Sequence, residues 1–362
     1  MKKVRFTLLI LAMSLICSAA APARELRYID ASTLPVHGKV RPETSAPFTR
    51  LPASMEATAR EAIWRLGTNS AGLYLRFRTD SRTIKLRWTS GVLREMRNMA
   101  APGARGLDLY GKLDGQWRYV ATAVPNVKAV ESEDEVGKTL NGEMREYMLY
   151  LSLYNRVDKL EIGIDPDARF EASDDPHPGR KGRVIMYGTS ILQGGCCTRP
   201  GMAFTNILSR RLDREVVNLG FSGNALLDYD VAEWMASCPD PAVYVLDNVA
   251  NGNAKNTLEK EENFFRILRN AHPDVPVVFV EVAHYPGMLF SASKARSVHA
   301  RNEALRQVYD ALVAKGETNI YYVSGDKLLG DDGEATVDGT HFTDIGMVRY
   351  SDVLYPILQK LL

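Results

Sequence analysis

The sequence predicts two domains in series: an antiparallel β-sandwich, followed by an α/β domain built on a doubly wound parallel sheet. Between about residues 60 and 165, apolar and polar side chains alternate, which is the period of half-buried strands. After residue 183, short apolar runs alternate with helical stretches, as in a parallel sheet covered on both faces. Residues 165–182, between the two patterns, are rich in Pro, Asp and Gly and have the composition of a linker.

The alternating pattern predicts six short strands separated by turns rich in Asp, Gly and Asn. In one of them, Ile84, Leu86 and Trp88 lie on one face, and the basic residues Lys85 and Arg87 lie on the other. We expect no helix among these strands. The predicted strands are 72–78, 84–88, 106–110, 117–120, 147–153 and 159–164.

The second pattern predicts five buried strands alternating with five helices. Ligands of such sheets bind outside the carboxyl ends of the strands, so the functional residues are sought there. The predicted strands are 184–187, 216–219, 242–246, 275–280 and 320–323. The predicted helices are 201–213, 228–237, 257–271, 294–315 and 344–361.

Residues 1–23 are typical of a secretory signal peptide. Lys2, Lys3 and Arg5 precede an uncharged apolar run over 6–17, and an A-x-A cleavage site ends at Ala23. The run is too short for a membrane-spanning helix. We therefore expect a secreted or periplasmic protein that is not inserted in the membrane after cleavage.

The cysteines leave two questions open. Lipoprotein processing at Cys17 is disfavoured because Ile16 stands where a small residue is usual. After cleavage three thiols remain, and an exported protein can form disulfides. A bond from Cys196 or Cys197 to Cys238 is compatible with the predicted strands, and no Cys or His spacing indicates a metal site.

Composition excludes several classes of protein. The chain has 362 residues, of which 45% are hydrophobic and 25% charged, which is too apolar for a disordered chain. Its formal charge of +1 becomes −2 when the three basic residues of the leader are removed, so binding of nucleic acid through bulk charge is not expected. The predicted division is a signal peptide (1–23), a sandwich domain (24–170), a linker (171–182) and an α/β domain (183–362).

Three polar groups follow the predicted strands of the second domain. Ser190 comes directly after the first strand, although the G-x-S-x-G pattern is absent because residue 192 is leucine. Gly223 follows the second strand, where a glycine lets the backbone approach a ligand. Asn248 and Asn251 follow the third strand and bring side-chain amide donors to the same edge.

Asp338 and His341 stand just before the last helix. An Asp three residues before a His can orient one imidazole nitrogen and leave the other to act as a base. A turn that caps the helix would have a similar sequence. The motif therefore indicates a catalytic pair only together with the residues that follow the predicted strands.

The order Ser, Gly, Asn and Asp-x-x-His at successive strand ends resembles the SGNH (GDSL-type) hydrolases, which have a flavodoxin-like fold. The resemblance implies that Ser190 is the nucleophile, His341 the base and Asp338 its orienting acid. It also implies an oxyanion hole made by the amide of Ser190, by Gly223 and by Asn251. No cofactor or metal is implied.

The chain departs from the family pattern at two places. The aspartate of the GDS triplet is Thr189, and the Gly-x-Asn-Asp block is loosened to Ala-Asn-Gly, so Asn248 competes with Asn251 as the third oxyanion donor. Four further segments are similar to a secreted bacterial branch with an N-terminal GxDLY-motif sandwich: 106–110 (GLDLY), 187–191, 199–202 (RPGM) and 218–224.

The resemblance implies a serine esterase. Because no long apolar or amphipathic segment suggests an interfacial lipase lid, we expect short acyl esters as substrates. The expected export and the N-terminal sandwich favour acetyl esters on a carbohydrate. The alternatives are an acyltransferase that uses the same acyl-enzyme, and a carbohydrate-binding protein without catalysis. The expected partner is a small ester or an acetylated glycan. Some aromatic residues of the predicted strands could stack on sugars, although aromatic residues in strands usually belong to the core; they are Tyr74, Trp88, Tyr110, Trp117 and Tyr119. His284 follows the fourth strand, near the expected substrate site, although a histidine there is more often packed or solvated.

Overall fold

The computed structural model of the chain describes residues 25–93, 95–173 and 182–362. The predicted signal peptide lies outside these ranges, as does most of the predicted linker. None of the helices within the described ranges combines the length and the apolar character needed to cross a membrane.

The first part of the described chain forms two antiparallel sheets, which confirms the predicted sandwich. Its strands are β1 (Arg27–Asp30), β2 (Val36–His37), β3 (Tyr74–Thr79), β4 (Ile84–Ser90), β5 (Leu107–Leu113), β6 (Gln116–Ala123), β7 (Glu131–Gly137), β8 (Arg145–Tyr150), β9 (Val157–Ile164) and β10 (Phe170–Ala172). One sheet has the order β1-β9-β4-β7, and the other has the order β10-β3-β8-β5-β6 with β2 paired to β3.

The alternation seen in the sequence divides β4 as expected. Ile84, Leu86 and Trp88 are buried in the apolar core between the sheets. Lys85 and Arg87 point the other way, and both form ion pairs with Glu133 of the neighbouring β7. The strand is therefore held on one face by apolar burial and on the other by charge pairing.

Two short helices, α1 (Glu61–Gly67) and α2 (Ala101–Arg105), interrupt these strands. The expectation of no helix in this region is therefore wrong. Residues Pro102 and Gly103 make the α2 sequence look like a turn, but proline is tolerated in the first turn of a helix. In α1, Ile63 is buried in the core of the second domain, so the helix is stabilised by packing rather than by its own sequence.

Strands β1, β2, β7 and β10 were not predicted. The sequence of β7 is ESEDEVG, in which four carboxylates hide any apolar alternation, and pairing with a basic strand offsets their charge. Strand β10 pairs with β3 and extends into the segment predicted as linker. Whether such short strands form depends on pairing with a neighbouring strand, which their own sequence does not show.

The second part of the described chain is a parallel sheet flanked by helices. Its strands are β11 (Arg183–Gly188), β12 (Val216–Gly220), β13 (Pro241–Asp247), β14 (Val277–Val280) and β15 (Ile320–Val323). Its helices are α3 (Ser190–Gln193), α4 (Phe204–Leu212), α5 (Tyr229–Ala236), α6 (Ala254–Ala271), α7 (Ala292–Ala314) and α8 (Asp344–Leu361). The five predicted strands and the five predicted helices are present, and the four-residue α3 is an addition.

The strand order β12-β11-β13-β14-β15 is that of flavodoxin-like folds. The chain first moves from β11 to β12 on one side and then places β13 on the other side of β11. The loop after β11 therefore lies where the order reverses, which is the usual ligand site of such sheets. Ser190 lies at this point, as the first residue of α3.

A buried ionic contact joins the two parts of the chain. The carboxylate of Asp108 is fully buried and accepts hydrogen bonds from Arg199 Nη1 (2.7 Å), from the Gly201 backbone N–H (2.7 Å) and from Thr122 Oγ1 (2.6 Å). Arg199 also donates to the hydroxyl of Tyr110 at 2.7 Å. The GxDLY motif of the sandwich thus binds the Arg-Pro-Gly-Met motif that follows the Ser190 loop.

The segment before β3 adds to the core of the second domain. Leu51 and Leu66 belong to the same buried apolar cluster as strands β11–β13. The guanidinium of Arg50 is buried beside them and donates to the carbonyl oxygens of Asn218 (3.0 Å) and Gly220 (2.9 Å) on β12. The parallel sheet is therefore packed in part by residues from the N-terminal half.

Candidate active site

Ser190 begins α3 directly after the carboxyl end of β11. Thr189 is the N-cap of this helix, and its side-chain oxygen accepts a hydrogen bond from the Ile191 N–H at 3.3 Å. Threonine is a favoured N-cap residue, so its presence in place of aspartate is compatible with the local structure. Gly188 is required for close packing, because a Cβ there would lie 2.6 Å from the carbonyl oxygen of Asp247.

The three predicted triad residues lie together. Ser190 Oγ is 3.0 Å from His341 Nε2, and His341 Nδ1 is 2.8 Å from Asp338 Oδ2. Asp338 and His341 lie in a tight turn, closed by a hydrogen bond from the Val337 N–H to the His341 carbonyl at 2.8 Å. Gly339 adopts a φ of +81° in this turn, a conformation that favours glycine.

Asp338 is held in its ionised form. Partial burial raises the pKa of its carboxyl, but hydrogen bonds from the His341 backbone N–H, from the His341 ring and from Asn98 outweigh burial, and the pKa lies well below its usual range. An ionised carboxylate beside Nδ1 keeps the ring hydrogen on that nitrogen. The Nε2 of His341 is then left as the acceptor that faces Ser190.

The turn after β12 is bound by a side chain of α3, the helix that begins at Ser190. The side chain of Gln193, buried on α3, accepts from the Ser222 N–H at 3.0 Å and donates to the Leu153 carbonyl at 3.1 Å. The next residue, Gly223, has a φ of +71°, and no atom lies within 4 Å of the place its Cβ would take. A side chain at this position would therefore meet no neighbouring atom of the described chain, and it is the positive φ that favours glycine here. Sequence reasoning missed Gln193, although it lies on the same short helix as Ser190.

The two asparagines after β13 have different surroundings. Asn248 is buried, and its Nδ2 donates to Glu261 Oε2 at 2.8 Å. Asn251 is partly exposed, and its Oδ1 accepts from the Ala225 N–H at 3.1 Å, which orients the side chain. Because the amide nitrogen of Asn248 is committed to Glu261, this geometry favours Asn251 as the third oxyanion donor.

Two residues from the N-terminal half reach the site, and neither was predicted. Asn98 Nδ2 donates to Asp338 Oδ2 at 2.8 Å, across 240 positions of sequence. The Tyr154 hydroxyl donates to the Ser190 carbonyl at 3.1 Å. No motif or periodicity marks either residue, because their roles arise only from the packing of the two domains.

Cys196 lies beside the triad. In the described chain, one group of side chains could hold a metal ion: ligand atoms of Cys196, Asp338 and His341 lie within 4.8 Å of one another. Asp338 and His341 are already bonded to each other. Burial, together with the Asp338 charge, raises the pKa of the Cys196 thiol to about 12. A metal would have to displace both a thiol proton and the Asp–His hydrogen bond, and the expectation of a metal-free site stays a prediction.

The disulfide considered from the sequence is not formed. Cys196, Cys197 and Cys238 are all free and buried. Cys196 and Cys197 follow β11 at the carboxyl edge of the sheet, whereas Cys238 precedes β13 at the opposite edge. Sulfur atoms at opposite ends of the strands are too far apart for a disulfide.

The aromatic residues offered as sugar-stacking surfaces are mostly packed inside the protein. Trp117 is partly buried, with the Arg76 guanidinium 5.1 Å from its ring centre. Tyr119 is exposed, but Arg199 lies 4.1 Å from the centre of its ring. The remaining three are buried: Tyr74, Trp88 and Tyr110.

The loop after β14 forms an apolar rim on the same edge of the sheet. Leu289 and Phe290 are 82% and 90% exposed, and Leu289 lines a cavity of about 360 Å³. His284 lines this cavity and contacts the ring of His299, with 5.5 Å between ring centres, rather than the triad. Lys294 links this region to the triad turn, since its Nζ donates to the Gly339 carbonyl at 2.6 Å.

Comparisons with known proteins decide the family. The model of the GDSL-like lipase/acylhydrolase family matches residues 181–359, and the GxDLY model, described as the N-terminus of the SGNH-hydrolase type of esterase, matches residues 26–170. A protein from Bacteroides ovatus described as a GDSL-like lipase is 33% identical, with a TM-score of 0.88 and coverage of 93% of this chain and 98% of its own. The chain belongs to this family. It is a carboxylic ester hydrolase of the SGNH type.

More distant members of the SGNH hydrolase fold have similar structures. A salicylyl-acyltransferase, SsfX3, from a tetracycline biosynthetic pathway is 18% identical, with a TM-score of 0.73 and coverage of 94% of this chain and 98% of its own. An acetyl xylan esterase from Butyrivibrio proteoclasticus is 10% identical, with a TM-score of 0.56 and coverage of 93% and 98%. These two share the fold. The comparison with curated proteins found no match.

Proposed function

We propose that this ester hydrolase is a secreted serine esterase that removes short acyl groups, above all acetyl, from a carbohydrate. Its nucleophile is Ser190, its base is His341 and its orienting acid is Asp338. The observation that carries the proposal is the continuous chain of hydrogen bonds from Ser190 Oγ through the His341 ring to Asp338. Export is expected from the leader at residues 1–23.

The reaction has two steps. His341 Nε2 takes the hydroxyl proton of Ser190 while Ser190 Oγ attacks the ester carbonyl carbon. His341 then gives that proton to the departing alcohol. The negative oxygen of the tetrahedral intermediate accepts hydrogen bonds from the Ser190 and Gly223 amides and from the Asn251 side chain, each worth about 3 kcal/mol. Water, deprotonated by His341, hydrolyses the acyl-enzyme and releases the acid.

The choice of substrate is argued from the expected export, from the structural comparisons and from the exposed apolar residues near the site. Export excludes cytosolic metabolites, and the acetyl xylan esterase named above gives a reason to test acetylated glycans first. The exposed Leu289 and Phe290 are a reason to include longer acyl chains in the same panel. Two adjacent side chains form a smaller apolar surface than the lid of an interfacial lipase, which favours a short acyl group.

Acetate release from a panel of acetylated glycans tests the proposal, together with p-nitrophenyl esters of increasing acyl length. The expected result is release of acetate and a rate that falls as the acyl chain lengthens, with neither seen in the Ser190→Ala protein. A preference for long acyl esters, with no release from any glycan, would overturn the substrate assignment while leaving the ester hydrolysis intact.

Transfer to a second hydroxyl compound is the alternative use of the same acyl-enzyme. The similarity to SsfX3 lies at the level of the fold, and SsfX3 is itself an acyltransferase. Adding an acceptor alcohol distinguishes the two activities, because an acyltransferase would form a new ester at the expense of free acid. Binding on a glycan array without labelling by a fluorophosphonate would instead favour a carbohydrate-binding protein without catalysis.

A further inference from the structure

Within the part of the chain that the structure describes, the carboxylate of Asp338 accepts four hydrogen bonds, two on each oxygen. Oδ1 accepts the backbone N–H groups of Thr340 (3.1 Å) and His341 (2.9 Å). Oδ2 accepts from His341 Nδ1 (2.8 Å) and from Asn98 Nδ2 (2.8 Å). Three of these donors belong to the same turn as Asp338 and move with it. Asn98 is the donor that comes from another part of the fold.

The segment that carries Asn98 contacts other parts of the fold on either side of that residue. It lies between β4 and α2, and the start of this segment is bound by Asn155, which donates to the Val92 carbonyl at 2.7 Å and accepts from the Val92 N–H at 3.2 Å. At the other end, α2 packs so closely that a Cβ on Gly103 would lie 2.1 Å from the Cys197 carbonyl oxygen. The segment that carries Asn98 is thus seated against the loop that follows Ser190.

We propose that Asn98 is a positioning residue for ester hydrolysis, and that through it the N-terminal sandwich holds the Asp338 carboxylate in the orientation in which it accepts the His341 ring. The inference rests on the proposed roles of Ser190, His341 and Asp338. It gives the sandwich a part in catalysis without any contact with substrate. Asn98 reaches the reacting atoms only through Asp338.

The charged and titratable groups around Asp338 and His341 determine what a substitution at Asn98 should do. Besides each other, Asp338 and His341 have Cys196, Tyr285 and Lys294 as titratable neighbours, and the first two interact electrostatically with Asp338. Asn98 adds a neutral donor to this set. A carboxylate in its place would put a second negative charge beside the imidazole and stabilise its protonated form.

Asn98→Ala should lower kcat about 10-fold, with KM unchanged within about twofold, because loss of orientation affects the transition state rather than ground-state binding. Asn98→Asp should move the acid limb of the kcat/KM profile to higher pH by about half a unit or more, since the base must be neutral to act. Asn141→Ala and Asn141→Asp are the matched controls. Asn141 is an exposed residue of the same domain whose Oδ1 accepts from the Glu143 N–H, and its variants should change neither readout.

The measurement is full pH–rate profiles of p-nitrophenyl acetate hydrolysis for these four variants, with thermal unfolding of each protein and Ser190→Ala in the same series. An Asn98→Ala protein with kcat within twofold of the parent overturns the inference. So does an Asn98→Asp protein whose acid limb is unshifted, whatever its total activity. If Ser190→Ala keeps its turnover, the proposed function fails instead, and the two failures are told apart.

Discussion

The contact between Asp108 and Arg199 should be a main stabiliser of the two-domain structure. The Asp108 side chain is 0% exposed and that of Arg199 is 22% exposed, so little water screens the pair. Replacing Asp108 by alanine removes the acceptor of three hydrogen bonds and leaves the guanidinium without its carboxylate. Breaking a buried ion pair in this way typically costs about 3–5 kcal/mol. We therefore expect Asp108→Ala to lower the free energy of unfolding by about 4 kcal/mol.

A surface pair in the same domain provides the control. Arg78 and Glu171 are 3.0 Å apart, and both side chains are 49% exposed. Glu171→Ala should change the free energy of unfolding by less than about 1 kcal/mol, as exposed pairs do. Urea denaturation followed by far-UV circular dichroism gives both values by linear extrapolation. A cost for Asp108→Ala no larger than that for Glu171→Ala would refute the reasoning.

Two further predictions concern side chains near the carboxyl end of β13. Asn251→Ala should lower kcat about 100-fold and leave the fold intact. Asn248→Ala should mainly lower the stability of the protein, because it removes the hydrogen bond to Glu261. Steady-state kinetics and thermal unfolding of both variants distinguish the two effects. Burial raises the pKa of Asp247 to about 8, despite a hydrogen bond to Tyr350 that lowers it. Between about pH 4 and about pH 8 the Asp247 carboxyl then holds a proton in the native state that it has lost in the unfolded chain. The contribution of Asp247 to the free energy of unfolding therefore falls as the pH rises from about 4 to about 8. Asp247→Asn should therefore stabilise the protein more at pH 8 than at pH 5, and an equal effect at both values in thermal unfolding would contradict this.

The sequence predicts the residues that follow the parallel strands better than any other part of the site. Strands that are apolar on both faces identify the sheet, and the parallel arrangement brings their carboxyl ends to one edge. Ser190, Asp338 and His341 were found in this way, and the structure places them in hydrogen-bonding order. The competition between the two asparagines needed the structure, because only the contact of Asn248 with Glu261 distinguishes them.

Contacts between the domains were beyond the reach of sequence patterns. Asn98 lies in a segment with no period, and its partner Asp338 is 240 positions away. The helix α2 has the composition of a turn, and four of the seven residues of strand β7 are acidic. In each case the deciding interaction is a tertiary one. The disulfide that the sequence left open is absent for a related reason, since the cysteines lie on the predicted sheet but at opposite edges.

The most direct test of the account is to identify the nucleophile covalently. The protein is treated with a fluorophosphonate, and the site of the adduct is located by tandem mass spectrometry of the digested protein. The account predicts one adduct, on Ser190, with loss of p-nitrophenyl acetate hydrolysis in proportion to labelling, and no adduct in the Ser190→Ala protein. An adduct on another residue together with full activity of Ser190→Ala would contradict it.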